Sequence, residues 1–122
     1  KIPGCTFSNP EIGTIGYTQS EAEEKFGEIL IGKFQFTANG NALGKGNTFG
    51  FVKVIADKKE HKIRGIHIIG LQATELIAQA GILLGLDATI EDVKKVVFAH
   101  PTLSECVMEA IEDLENLSIH KL

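Results

Sequence analysis

Phe49-Gly50-Phe51-Val52-Lys53-Val54-Ile55-Ala56-Asp57 and Lys62-Ile63-Arg64-Gly65-Ile66-His67-Ile68-Ile69-Gly70 are two runs rich in valine and isoleucine, separated by Lys58-Lys59-Glu60-His61. Branched side chains suit the pleated surface of a sheet, and a short charged break between two such runs predicts an antiparallel hairpin. His61 is then an exposed turn residue with no evident role. His67, between Ile66 and Ile68, reads as a half-buried, hydrogen-bonded histidine rather than a metal ligand.

Upstream of the hairpin, residues 29–36 have the β-branched and aromatic content of another strand, and residues 39–47 collect three glycines and three asparagines in what reads as a long hairpin loop. This loop is not a phosphate cradle. A Walker A loop has four residues between its first glycine and Gly-Lys, whereas Gly40 and Gly44 are separated by three, and Lys45 is followed by Gly46. A dinucleotide fingerprint starting at Gly44 and Gly46 fails at Phe49. Earlier still, residues 11–17 alternate so that Ile12, Thr14 and Gly16 share one side of a strand and Gly13, Ile15 and Tyr17 the other. Thr18-Gln19-Ser20-Glu21 is a capping-box pattern that opens a short polar surface helix, ended by Gly27.

Downstream, Leu76, Ile77, Ala80, Leu83 and Leu84 define one face of the main packing helix, with Gly81 at a close approach and Gly85 as its stop. Thr89 to Asp92 caps another short helix with Ile90, Val93 and Val97 on its inner face. A last helix runs from 103 to about 117; Leu103, Val107, Ala110, Ile111 and Leu114 form its apolar stripe, while Glu109, Glu112, Asp113 and Glu115 stay in water. His120 falls in the tail beyond. Strands first and helices later predict an α+β fold, an antiparallel β-sheet with helices packed on one face.

The 122 residues make one domain, 1–122, large enough for a single core. Composition, 43% apolar and 23% charged, is that of an ordered globular protein. The net charge of −4 offers no basic surface to nucleic acid, and the apolar stretch 76–86, interrupted by Gln79, is too short to cross a membrane. Cys5 and Cys106 show no metal-ligand or disulfide spacing, which points to a reducing compartment and no metal. The first residue is Lys1 and no signal segment follows, so the chain reads as a piece of something longer.

His100-Pro101-Thr102-Leu103-Ser104-Glu105 is where chemistry enters. A carboxylate bonded to one imidazole nitrogen fixes the tautomer and leaves the other nitrogen free to move a proton, so His100 and Glu105 are the candidate acid/base pair. Thr102 and Glu105 also have the spacing of a capping box. The two readings are compatible, because a carboxylate has acceptor sites for both a backbone donor and an imidazole. A third reading takes Cys106, in the first helical turn, as a nucleophile with His100 as base. Cys106 is turned about 100° from Glu105, so the two need not face one site, and a buried small residue is the default for both cysteines.

The order of these patterns resembles the C-terminal dimerisation (interface) domain of the FAD-dependent pyridine nucleotide-disulfide oxidoreductases. The matching pieces are Pro10 to Gly16, Gly50-Phe51-Val52-Lys53, Gly65 to Gly70, Ala73-Thr74-Glu75-Leu76-Ile77 and His100 to Glu105. Leu103 within the last piece looks most like the dihydrolipoamide dehydrogenases; glutathione reductases tend to carry serine there, and mercuric reductases usually lack the histidine.

The resemblance implies a homodimer in which His100, oriented by Glu105, exchanges protons with a dithiol substrate and with a redox disulfide of the partner subunit. It implies a cis His100-Pro101 peptide, with His100 and Pro101 near the partner's flavin. FAD and NAD would belong to other domains of the parent enzyme and none would bind this fragment, since the chain has no redox cysteine pair and no glycine-rich dinucleotide loop. Lipoyl domains of 2-oxo acid dehydrogenase complexes or of the glycine cleavage system would be partners, in bacterial cytoplasm or the mitochondrial matrix. Alternatives are the interface domain of another, glutathione-reductase-like disulfide reductase, or a purely structural association module.

Overall fold

The computed structural model of the protein describes residues 1–44, 46 and 49–115. Along the chain run β1 (Gly4–Thr6), β2 (Ile12–Gly16), α1 (Gln19–Phe26), β3 (Ile29–Gln35), a 3-10 turn (Phe36–Ala38), α2 (Gly40–Gly44), β4 (Gly50–Asp57), β5 (Ile63–Gly70), α3 (Ala73–Gly85), α4 (Ile90–Lys94) and α5 (Glu105–Asp113). The strands form one antiparallel sheet in the order β1-β2-β5-β4-β3. The hairpin is its centre. Val52 lies opposite Ile68 and Val54 opposite Ile66, which puts all four on one face, where each is essentially solvent-free.

That face is covered by α3 through Leu76, Ile77, Ala80 and Leu84, and by α5 through Val107, Ala110 and Ile111. Burying each large aliphatic side chain contributes about 1.5–3 kcal/mol, so this layer supplies the main drive to fold. Gly32 on edge strand β3 explains how close α5 comes: a Cβ there would stand 2.0 Å from the Ala110 carbonyl oxygen. On the opposite face Lys53 is flanked by Lys33 and His67. The short α1 shields part of that face, with Ala22 and Ile55 buried, Lys53 Nζ donating to Gln19 at 2.8 Å and the Arg64 guanidinium 4.1 Å from the Phe26 ring centre. The expected α+β layering holds, with the principal helices on one face.

Several local expectations need correction. Residues 39–47 are not simply a loop, because α2 forms within them. Helix α3 does end at Gly85, with Leu86 as its C-cap, but the left-handed residue that turns the chain away is Asp87 (φ 52°) rather than a glycine. Val97 is 95% exposed, because α4 ends at Lys94 before its inner face can reach that far. Glu109 and Asp113 are buried rather than in water. Helix α5 lies along the edge of the sheet, where Asp113 Oδ2 accepts the Lys33 backbone N–H at 2.9 Å and so satisfies a donor that an edge strand leaves unpaired. Cys5 is exposed, on the unanticipated edge strand β1. Leu117 and His120 lie outside the described residues.

Candidate functional site

Helix α4 opens with a complete capping box: Thr89 and Asp92 each satisfy the other's backbone N–H, at 3.1 and 2.9 Å. Beyond Lys94 the chain follows an irregular path to α5 at Glu105. This stretch carries His100, whose side chain is 72% exposed, across from Glu105, 17% exposed. His100 Nδ1 lies 3.0 and 2.9 Å from the two Glu105 carboxylate oxygens. An ionised carboxylate only accepts, so Nδ1 carries the proton and donates, which leaves Nε2 as the free ring nitrogen. The His100-Pro101 peptide is cis, and so is Asn9-Pro10.

The capping box expected here is half made. The Thr102 backbone N–H donates to Glu105 Oε1 at 2.8 Å, but the Thr102 hydroxyl donates back to the Ala99 carbonyl at 2.8 Å instead of accepting from Glu105. Ser104 precedes the first helical residue and caps nothing with its side chain; its hydroxyl instead meets the Gln79 side-chain amide from α3. One carboxylate therefore serves a backbone donor and an imidazole together.

Cys106 is fully buried, and its thiol is pushed up to about 12, first by burial and then by the charges of Glu105 and Glu109. Desolvation outweighs the helix dipole, so almost none of it is thiolate at neutral pH. The nucleophile reading is thereby overturned.

His61 is half-buried rather than exposed and adopts a left-handed conformation (φ 59°). Its Nδ1 lies 3.1 Å from Glu91, and this hydrogen bond is the main reason the Glu91 carboxyl titrates below its ordinary range. Glu115 completes a trio whose donor atoms lie within 4.8 Å of one another. The Lys94 ammonium already pairs with Glu115 there, so the group reads as an ion-pair tie between the hairpin turn, α4 and α5.

A cleft of about 230 Å³ adjoins the histidine pair, lined by Phe34, Asn39, Leu43, His100, Glu105 and Glu109. A larger one, about 400 Å³, is bounded by Ser8, Pro10, Glu11, Phe49 and Gln72 and includes neither His100 nor Glu105. Sequence reasoning missed the residues that grip the segment from outside. The Asn39 amide donates to the Thr102 carbonyl at 2.9 Å, and the Asn41 amide to the Pro101 carbonyl at 3.3 Å. The available signal was Asn39 as a preferred N-cap residue ahead of a short helix.

Residues 2–111 match the family model described as pyridine nucleotide-disulphide oxidoreductase, dimerisation domain. The chain belongs to this family. A dihydrolipoyl dehydrogenase of Rhizobium etli is 42% identical over 113 residues, which cover 93% of this chain and 24% of the relative. A mitochondrial dihydrolipoyl dehydrogenase of Pisum sativum is 42% identical over 120 residues, covering 98% and 24%. The crystal structure of LpdA from Mycobacterium tuberculosis superposes with a TM-score of 0.85 over 93% of this chain and 25% of that one, at 22% identity, and so supports the fold. The chain thus spans about a quarter of the length of the curated relatives it matches. These dihydrolipoyl dehydrogenases come from bacterial, archaeal and mitochondrial sources. Among the described residues of this dimerisation domain no helix is long and apolar enough to cross a membrane.

Proposed function

We propose that this domain belongs to a dihydrolipoyl dehydrogenase and supplies each active site of a homodimer with the acid/base pair His100 and Glu105. The observation that carries the reading is the double contact of Nδ1 with the Glu105 carboxylate, which leaves Nε2 free on a largely exposed ring. Nε2 takes the proton of one dihydrolipoamide thiol, and the resulting thiolate attacks one sulfur of the partner subunit's redox disulfide, breaking its S–S bond and releasing the other cysteine as a thiolate. The second dihydrolipoamide sulfur then attacks the first, which closes lipoamide and expels the enzyme cysteine, and its proton passes to that cysteine. Glu105 stabilises the imidazolium formed in the first step. Two electrons and two protons leave the dithiol. FAD and NAD bound by other parts of the parent would supply the redox chemistry that accepts those electrons; Pro101 is exposed and His100 largely so, and they are the residues of this chain that would lie against the flavin. The substrate arrives on lipoyl domains of a 2-oxo acid dehydrogenase complex or the glycine cleavage system, in bacterial cytoplasm or, as the second setting, the mitochondrial matrix.

A second reading, a pure association module, is favoured by the bond from the Thr102 N–H to Glu105, which gives the glutamate a structural task. Turnover and sedimentation of the full-length enzyme separate the two. His100→Gln is expected to lower kcat by about 10²–10⁴-fold with the dimer intact. Wild-type turnover in that variant overturns the catalytic reading, and loss of the dimer supports the structural one.

A further inference from the structure

Asn39 lies far from the histidine pair in sequence, yet it is 5% exposed and bonded to the same short segment. Its side-chain orientation is decided by its neighbours. The Ala42 N–H can only donate and faces Oδ1 at 2.9 Å; the Thr102 carbonyl can only accept and faces Nδ2 at 2.9 Å. The Asn39 main chain is occupied as well, its N–H donating to the Phe36 carbonyl at 2.9 Å and its carbonyl accepting from Leu43 at 3.0 Å. The side chain is thus pinned to α2 at one end and presents a fixed donor at the other.

Thr102 receives that donor. Its own N–H holds Glu105 Oε1 at 2.8 Å, and its hydroxyl ties back to Ala99. The peptide groups on either side of Thr102 are therefore clamped by Asn39 on the carbonyl side and Glu105 on the amide side. Residues 95–104 have neither strand nor helix to orient them, and although Phe98 and Leu103 pack on the core, the His100 ring is mostly in solvent. Direction must come from such contacts. Asn41 adds a longer bond to the preceding carbonyl, that of Pro101.

We propose that Asn39 is a positioning residue that sets the geometry of the His100–Glu105 pair through the Thr102 carbonyl. The inference rests on the catalytic reading above. Asn39→Ser is the informative substitution, because a serine hydroxyl can still cap α2 but is too short to reach Thr102; Asn39→Ala removes both contacts. In the full-length enzyme, assayed with dihydrolipoamide and NAD, Asn39→Ser is expected to lower kcat about tenfold or more while KM for either substrate stays within about twofold. Its melting temperature is expected above that of Asn39→Ala.

The decisive readout is a cycle with His100→Gln. If Asn39 acts through the imidazole, adding Asn39→Ser to His100→Gln costs nothing further. An equal fall in both backgrounds overturns the proposal, as does Asn39→Ser with unchanged kcat in the enzyme that retains His100. His100→Gln with wild-type turnover sinks the underlying catalytic reading instead, so the two failures are told apart.

Discussion

Between Gly50 and Gly70 each residue's neighbours follow from a ladder: Val52 faces Ile68, Lys53 faces His67, Val54 faces Ile66, and alternation sends every second side chain into the core. Between Lys94 and Glu105 no ladder exists: Phe98 and Leu103 anchor the stretch to the core, and around His100 the chain is placed by single polar contacts from Asn39, Asn41, Gln79 and Glu105. The first region is fixed by many weak, redundant apolar contacts, the second by two apolar anchors and a few directional bonds. Redundancy gives stability that survives the loss of any one bond. Directional contacts give a defined ring position that a single substitution can spoil.

The contrast can be broken at the hairpin. Ile66→Ala removes a side chain from the centre of the core and is expected to destabilise the protein by about 2–5 kcal/mol in urea unfolding, while kcat of the full-length enzyme, measured well below its melting temperature, stays near wild type. A large fall in kcat would mean that the corner depends on the sheet more than its hydrogen bonds suggest.

Asp57 sharpens the comparison, since it is a polar tie inside the regular region. Burial works against its carboxylate, but the Glu60 N–H and the Arg64 guanidinium at 2.8 Å outweigh it and hold the carboxyl below its usual range. A depressed carboxyl contributes stability that is present above its unfolded value and lost as pH falls through the lower, folded one. Asp57→Asn is expected to cost about 3 kcal/mol at neutral pH, and a smaller amount once the pH is low enough to protonate Asp57 in the parent. A cost independent of pH, in urea midpoints taken across the acid range, would remove the charge argument.

The smallest effect is expected at Asn41, half-buried and bonded at 3.3 Å. Asn41→Ala should change stability by about 0.5–1 kcal/mol and kcat by less than about twofold. An Asn41 effect as large as that at Asn39 would mean that the Pro101 carbonyl, rather than that of Thr102, is the grip that matters.

The hairpin, the amphipathic α3 and the capped starts of α1 and α4 could be read from the sequence because each depends on a local period or a cap within a few residues. The pairing of His100 with Glu105 was legible for the same reason: five positions separate them. Asp113, Glu109 and Asn39 were not, since a polar residue on a helix or in a glycine-rich stretch looks solvated until the element that covers it is known. Cys106 shows the limit most clearly. Its place in the first turn of a helix suggests a lowered thiol pKa, whereas burial between α5 and the core raises it.

The sequence by itself determined the antiparallel hairpin, the α+β class, the family and the contact between His100 and Glu105, all of which rest on side-chain alternation, local caps and motif order. Tertiary structure alone decided that α5 would lie over Gly32, that Asp113 would close the edge of β3 and that Asn39 would reach Thr102. Those contacts join residues up to 80 positions apart, and their partners are chosen by how the layers pack, which no local period encodes.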